Sequence, residues 1–283
     1  MLRELAEGVF VEDGFEGGNN GLILTRRGAL LVDTPMLPPE ARQWQLKLMQ
    51  MGIGDIYGIV NTDYHPEHFW GNAFFMPTRT FGNEQADRPI AKYRDSAMEK
   101  LAEEYRAHDP VLAQELAQLK IIPPEISVND QVTLYMGDRQ VQILHLSGHT
   151  PASLGVYLPE LKILFAGDNV VNNEHPEMYD ADTLGWLRTL KKLQAMDIDV
   201  IVPGRGEPCG KEALQPLYNY IVEMRRRVVQ LFKEGASRRE TVEKVGMLDF
   251  FPVPEEQLAE VKMRKRHSIE RVYTEVRISI RNR

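Results

Sequence analysis

The chain has 283 residues, a hydrophobic fraction of 43% and a formal net charge of -7. This composition supports a large buried core and excludes a disordered chain, and the negative charge argues against a general affinity for nucleic acid or anionic membranes. A single cysteine excludes an internal disulfide. The N-terminus lacks the apolar core of a signal peptide and no apolar run is long enough to span a bilayer, so we expect a cytoplasmic protein.

The first part of the chain predicts an α/β unit. Apolar residues at helical spacing between Pro39 and Met51 indicate a helix, and short apolar runs on either side of it indicate strands. These strands are Val9–Val11, Leu22–Leu24, Ala29–Val32 and Tyr57–Val60. The last strand follows the helix and is expected to end at the carboxyl edge of a sheet, where α/β proteins place their sites.

Four side chains that can bind a metal follow this strand within six residues. Two imidazoles and two carboxylates, from Asp63, His65, Glu67 and His68, suit divalent zinc, iron or manganese. Alternation puts the first three on one side of an extended chain, and His68 turns inward only if the chain begins to coil there. A solvated polar turn is the alternative, but the apolar Phe69–Trp70 that follows favours a buried site.

Further candidate residues come at the ends of other strands. His149 follows an apolar run, and Asp168 ends the next one, where a buried carboxylate needs a cation or a hydrogen-bond donor. Asp33 either caps its strand or orients a ligand histidine. A charged helical insertion at residues 86–120 separates the two halves of the cluster and is either a lid over the site or a surface segment.

The C-terminal part of the chain is predicted to be helical. Apolar residues at helical spacing indicate helices at Thr183–Met196 and Glu212–Lys233. The basic run Lys262–His267 is interpreted as the solvated face of a docked helix rather than a nucleic-acid patch, because apolar residues follow it at helical spacing. We therefore predict one domain over residues 1–210 and a helical extension over residues 211–283 that packs on it.

Five short motifs together resemble the signature of the metallo-β-lactamase superfamily. The family's first ligand motif is His-x-His-x-Asp-His, in which Asp63 replaces the first His and Glu67 replaces Asp, while Arg205 replaces the His of its Pro-Gly-His-Gly motif. The resemblance implies an αββα sandwich with a helical insertion and C-terminal helices. The matching stretches are Asn20–Leu24 with Gly28–Thr34, Asp63–His68, Ser147–Thr150, Phe165–Asp168 and Val202–Gly206.

The resemblance implies a first metal position at Asp63, His65 and His149. Asp168 would bridge from this position to a second one. Zinc is the expected cofactor, and iron and manganese are alternatives.

The second position departs from the family pattern. It would receive Glu67, His68 and Asp168, but its last ligand is replaced by Arg205, and a guanidinium cannot coordinate a cation. Arg205 can instead sit between the carboxylates of Glu67 and Asp168 and supply positive charge. We therefore predict one firmly bound metal, with occupancy of the second position left open.

The resemblance implies hydrolysis of a small ester, lactone, thioester or amide by a metal-activated water. Glu67 is the expected general base, and Arg205 is expected to hold an anionic group or developing oxyanion of the substrate. His175 follows Asp168 on a loop and is a substrate contact, a replacement for the missing last histidine ligand, or a surface histidine. Two other interpretations remain: an Fe(II) thiol or persulfide dioxygenase, and a non-catalytic metal-binding relative. The expected partner is a small-molecule substrate, and the sequence is compatible with a homodimer.

Overall fold

The computed structural model describes residues 1–93 and 96–281 and contains two stacked β-sheets with helices outside them. Neighbouring strands of the first sheet are antiparallel from the first to the fourth strand and parallel from the fourth to the seventh. In spatial order the strands are β1 (Leu2–Ala6), β2 (Val9–Glu12), β3 (Asn20–Thr25), β4 (Gly28–Val32), β5 (Ile56–Val60), β6 (Arg79–Gly82) and β7 (Ile126–Ser127).

The second sheet has five strands in the described part of the chain. They are β8 (Gln131–Tyr135), β9 (Gln140–His145), β10 (Leu154–Leu158), β11 (Ile163–Val171) and β12 (Val200–Arg205). β11 and β12 are parallel, whereas the other neighbours are antiparallel. Both partners of a parallel pair end at the same edge, so Asp168 and Arg205 reach the same edge of this sheet.

The two sheets pack face to face through alternating apolar side chains. Val11, Ile23 and Val60 of the first sheet share one buried cluster with Ile143 and Phe165 of the second. Each of these strands therefore turns one set of side chains inward and the other set toward a helical layer.

Helices cover the outer face of each sheet and confirm the αββα sandwich. Trp44 and Leu48 pack α1 against the first sheet, and Trp186, Leu217 and Ile269 belong to the cluster that covers the second. The helices of the described residues are α1 (Pro38–Gln50), α2 (Pro66–Phe69), α3 (Asp87–Ala91), α4 (Ser96–Arg106), α5 (Pro110–Ala117), α6 (Thr183–Ala195), α7 (Leu214–Lys233), α8 (Arg238–Lys244) and α9 (Leu258–Arg281).

The helical insertion packs against the segment that carries the candidate ligands. α3, α4 and α5 lie within the predicted range, and Ile90 and Leu116 share a buried cluster with Phe69 and Trp70. The insertion thus supports α2 from its apolar side.

The C-terminal helices pack on the second sheet. Ile221 of α7 and Val272 of α9 are fully buried in the same cluster as Leu164 of β11. The boundary near residue 210 stays a prediction. Among the described residues, no helix combines the length and the apolar character needed to cross a membrane.

Candidate metal centre

The ligand cluster lies in the loop after β5 and in the short helix α2. His65 still has an extended backbone, with φ -75° and ψ 149°, and Pro66 begins the helix directly after it. Proline suits this first helical position because its missing N–H has no partner there in any case. The helical turn carries His68 into the interior, where its exposed fraction is 3%.

The structure brings Asp63, His65 and His149 together as one group of buried side chains that could bind a metal ion. Nδ1 of His65 lies 3.1 Å from Nε2 of His149, and Oδ1 of Asp63 lies 3.5 Å from the same His65 nitrogen. Burial alone would lower the pKa of His65, but the carboxylates of Asp63 and Asp180 raise it to about 9. The ring nitrogens of His65 and His149 thus lie close together next to the carboxylate of Asp63.

Glu67, His68 and Asp168 form a second group beside the first. Oδ2 of Asp168 is 3.8 Å from Nε2 of His68 and 3.7 Å from Nε2 of His149. Burial alone would raise the pKa of Asp168, but His68, His149 and Arg205 hold it far below its usual value. Asp168 is thus an ionised carboxylate that lies between the two groups.

Asp168 reaches this position because β11 is irregular. The sequence predicts that the strand ends at Asp168, whereas the structure continues it to Val171 with shifts of register at Gly167. Gly167 has φ 53°, and a Cβ there would lie 2.6 Å from Oγ1 of Thr62. The glycine therefore lets the strand bend closely past the loop after β5 before it continues.

Arg205 lies against the carboxylates of the second group. Its Nη2 donates to Oε1 of Glu67 at 2.8 Å, and its Nε lies 3.8 Å from Oδ2 of Asp168. Burial alone would lower the pKa of Arg205, but Asp168 and Glu67 raise it, so the guanidinium stays charged. The side chain occupies the region between the two carboxylates, as the sequence predicts.

Asp33 orients His68 from behind. Its Oδ2 lies 2.9 Å from Nδ1 of His68, and its oxygens accept the N–H and hydroxyl of Thr62 at 2.7 and 2.6 Å. Of the two interpretations of Asp33, this contact favours the one in which it orients a histidine of the candidate cluster. The other ring nitrogen of His68 is then directed toward Asp168.

His149 is held by its backbone and its ring. Its N–H donates to Oδ1 of Asn169 at 3.0 Å, and its ring meets that of Trp186 edge-on at 5.5 Å. Nε1 of Trp186 donates to the carbonyl oxygen of Asn169 at 2.8 Å, so Asn169 is bound both to the backbone of His149 and to the indole ring that packs on its imidazole. Burial lowers the pKa of His149 and favours the neutral imidazole that binds metals.

His175 is not among the side chains that converge in these groups. It is buried between the rings of Tyr220 and Phe251, and its Nε2 lies 3.2 Å from the carbonyl of Phe251. The surface interpretation of His175 is wrong, because residues from the C-terminal part of the chain cover it. A role in substrate binding stays a prediction.

No sequence pattern predicts three residues of the site: Tyr179 and Asp180, which lie beside His65, and Tyr93, which packs on Phe69 and Trp70. The ring of Tyr179 lies 4.9 Å from the His65 ring, and Oδ2 of Asp180 lies 3.5 Å from Nε2 of His65 while it accepts the hydroxyl of Tyr64. Burial raises the pKa of Tyr93 to about 12, with Glu67 adding to the effect. All lie outside strands, so no periodicity signals them.

The donor set fits a divalent cation. Nε2 of His68 and Oδ1 of Asp168 are buried without a hydrogen-bond partner in the described residues, and the His65 and His149 nitrogens converge at 3.1 Å. Buried polar atoms without partners cost free energy, and a cation between them would satisfy these lone pairs. A cavity of about 540 Å³ reaches Arg205 from outside, beside Gly18.

Comparison with known proteins identifies the family. A linear primary-alkylsulfatase from Pseudomonas is 23% identical over 287 residues, covering 89% of this chain and 54% of that protein, so the chain spans about half of that relative. The structure of the stereoselective inverting sec-alkylsulfatase Pisa1 from Pseudomonas has a TM-score of 0.72 at 17% identity, covering 97% of this chain and 50% of that one. A metallo-beta-lactamase family protein from Thermus thermophilus has a TM-score of 0.71 at 17% identity, covering 99% and 95%. The family model of the metallo-beta-lactamase superfamily matches residues 13–205, and the chain therefore belongs to this superfamily.

Proposed function

We propose that the protein is a metal-dependent hydrolase of a small ester, lactone, thioester or amide. The observation that carries this proposal is that Nε2 of His149 lies 3.1 Å from Nδ1 of His65 and 3.7 Å from Oδ2 of Asp168 in a buried site. The partly exposed ion pair of Glu67 and Arg205 lies next to this site. Two imidazoles and a carboxylate are a ligand set of hydrolytic metal sites.

His65, His149 and Asp168 would hold the cation. When bound, a divalent metal supplies Lewis acidity, which lowers the pKa of water to about 7 and polarises a substrate carbonyl. Zinc suits these donors, and iron and manganese are alternatives. Arg205 lies where a second cation would bind, which favours a single metal per chain.

Glu67 is the proposed proton acceptor. One carboxylate oxygen is bound by Arg205, and the other has no hydrogen bond to any described residue. The free oxygen can accept a proton from an attacking water and return it to the leaving group. The bond to Arg205 holds the carboxylate in one orientation, which suits a base.

Arg205 is the proposed anchor for negative charge on the substrate. It lines the cavity of about 540 Å³, together with Gly17, Gly18, Glu174 and Arg264. Only one of its N–H groups makes a hydrogen bond within the described chain. The remaining donors can therefore bind a carbonyl oxygen, a carboxylate or a developing oxyanion.

Relatives with esterase chemistry support this class of reaction. The alkylsulfatases similar to this chain act, by their names, on sulfate esters, and their likeness extends over the C-terminal helices as well as the metal centre. A sulfate ester therefore belongs in the substrate panel next to carboxylic esters, lactones, thioesters and amides.

Turnover by defined metal forms tests the proposal. Purified protein loaded separately with zinc, manganese or iron is assayed on one substrate of each class, next to His149→Ala and the exposed control His108→Ala. We expect turnover with at least one metal, a loss of about 100-fold or more in His149→Ala and no loss in the control. Stoichiometric metal without turnover on any class would contradict the proposal and favour a non-catalytic relative.

An Fe(II) oxygenase is the second candidate. Two histidines and one carboxylate, here His65, His149 and Asp168, are also the donor set of non-haem Fe(II) oxygenases. Iron in protein prepared without oxygen, together with oxygen uptake on adding a thiol or persulfide, would favour this candidate over hydrolysis.

A further inference from the structure

The carboxylate of Asp63 accepts hydrogen bonds at both of its oxygens. Oδ1 accepts the backbone N–H of Tyr64 at 2.5 Å and that of His65 at 3.1 Å. Oδ2 accepts the hydroxyls of Thr150 at 3.0 Å and Ser153 at 3.1 Å. All five residues are buried, so water does not readily replace these bonds.

These bonds use the acceptor capacity of Asp63. An ionised carboxylate has about four lone-pair sites, and four donors occupy them here. An oxygen that turned to a cation would leave buried hydrogen-bond donors without a partner, which is unfavourable. Asp63 is therefore poorly placed to give a lone pair to a metal.

Asp168 differs in this respect. Its Oδ1 is buried without a partner in the described chain, and its Oδ2 lies 3.7 Å from Nε2 of His149 and 3.8 Å from Nε2 of His68. Neither oxygen is saturated by hydrogen-bond donors. Asp168 thus keeps free lone pairs, and its Oδ2 lies near both imidazoles.

We propose that Asp63 is a positioning residue and not a metal ligand, and that His65, His149 and Asp168 hold the cation. This revises the expectation from the family resemblance, which puts Asp63 in the ligand position of the first His. The inference rests on the proposed function only in requiring that a cation binds, and it does not depend on turnover.

Asp63 fixes the turn that carries His149. Thr150 follows His149 directly, and its hydroxyl accepts the N–H of Ala152 at 3.2 Å while Oγ of Ser153 accepts the N–H of Thr150 at 3.0 Å. Asp63 accepts hydrogen bonds from both hydroxyl groups and so connects this turn to the loop after β5. A neutral imidazole has a single acceptor nitrogen and could not receive four donors.

Cobalt binding by Asp63→Asn and Asp168→Asn tests the proposal. The asparagine carbonyl can still accept both backbone N–H groups, and its amide can donate to Thr150 and Ser153. We expect Asp63→Asn to bind Co²⁺ within about tenfold of the unmodified protein, with the same visible spectrum, and Asp168→Asn to bind about 100-fold more weakly or worse. Equal weakening in the two variants, or a changed Co²⁺ spectrum in Asp63→Asn, would overturn the proposal.

A metal-loaded crystal structure of the unmodified protein provides the second test, should Asp63→Asn not fold. We expect both Asp63 oxygens to stay bonded to Thr150 and Ser153, whereas an Asp63 oxygen about 2.0–2.2 Å from the metal would overturn the proposal. No metal binding at all would overturn this inference together with the proposed function. Metal binding without turnover would overturn the proposed function alone.

Discussion

Arg205 donates from Nη2 to Oε1 of Glu67 at 2.8 Å while its Nε lies 3.8 Å from Oδ2 of Asp168. A fixed positive charge therefore stands between two carboxylates at the place where the family pattern puts a histidine. The exposed fractions of the Arg205 and Glu67 side chains are 22% and 16%, so solvent screens this pair only in part. The pair brings a fixed positive charge to the second group of candidate ligands.

Removal of this charge should weaken metal binding. In Arg205→Ala the carboxylates of Glu67 and Asp168 face each other without a cation, and the pKa of Asp168, which Arg205 helps to keep low, rises. We expect the dissociation constant for zinc to increase by about tenfold or more, measured by competition with a chelator. Arg3→Ala, which breaks a surface pair with Glu207, is the matched control and should leave it unchanged. Equal affinities in both variants would show that the charge of Arg205 does not matter to the metal.

Asp33→Ala should strongly destabilise the fold. The substitution leaves the N–H of Thr62 buried without a partner and removes the carboxylate that faces Nδ1 of His68, which keeps only Oγ1 of Thr62 at 3.2 Å. We expect the free energy of unfolding to fall by about 3 kcal/mol or more in urea denaturation. Asp33→Asn keeps an acceptor for Thr62 and tolerates the φ of 61°, so it should cost less. An Asp33→Ala protein as stable as the parent would refute this role.

Gly18→Ala should displace the Arg205 side chain. Gly18 has φ 134°, and a Cβ there would lie 2.3 Å from the carbonyl oxygen of Gly204, which also accepts the N–H of Asn19 at 2.9 Å. We expect a loss of about 10-fold or more in kcat/KM on any substrate found, because displacement of a substrate anchor is costly. Gly52→Ala is the control: Gly52 also has a positive φ, but no atom lies within 4 Å of a Cβ there. Similar losses of kcat/KM in Gly18→Ala and Gly52→Ala would show that the effect does not come from displacement of Arg205.

The burial of His175 should make stability depend on pH. Burial lowers its pKa below the usual 6.5, so the unfolded state binds the proton more readily. The contribution of His175 is therefore complete above pH 6.5 and is lost as the pH falls below it, by up to about 1.4 kcal/mol per pH unit. Urea denaturation from pH 7.5 down to 5.5 should show a smaller loss in His175→Gln than in the parent. The exposed His108→Gln should follow the parent, and identical slopes in all three proteins would contradict this account.

The two groups of candidate ligands could be predicted from sequence because their members lie in or shortly after apolar runs that form strands. His149 and Asp168 follow apolar runs whose register fixes the edge of the sheet that they reach. Pro66 marks the point where the chain coils and turns His68 inward. The αββα sandwich was implied by the resemblance to the family, and apolar residues at helical spacing predicted the helices that cover the outer face of each sheet.

Features set by contacts between distant segments could not be predicted. β1 (Leu2–Ala6) contains Arg3 and Glu4, and only its pairing with β2 makes it a strand. Asp180 approaches His65 because its loop is held by Tyr64. Two of the four hydrogen bonds that saturate Asp63 come from a turn more than eighty residues away, and no local pattern signals them.

The metal-to-protein ratio tests the central claim most directly. If Arg205 takes the place of a second cation, elemental analysis of the unmodified protein after dialysis should give about one metal per chain. In Arg205→His the introduced imidazole joins Glu67, His68 and Asp168, so the ratio should rise toward about two. A ratio of two in the unmodified protein, with no change in Arg205→His, would contradict the account.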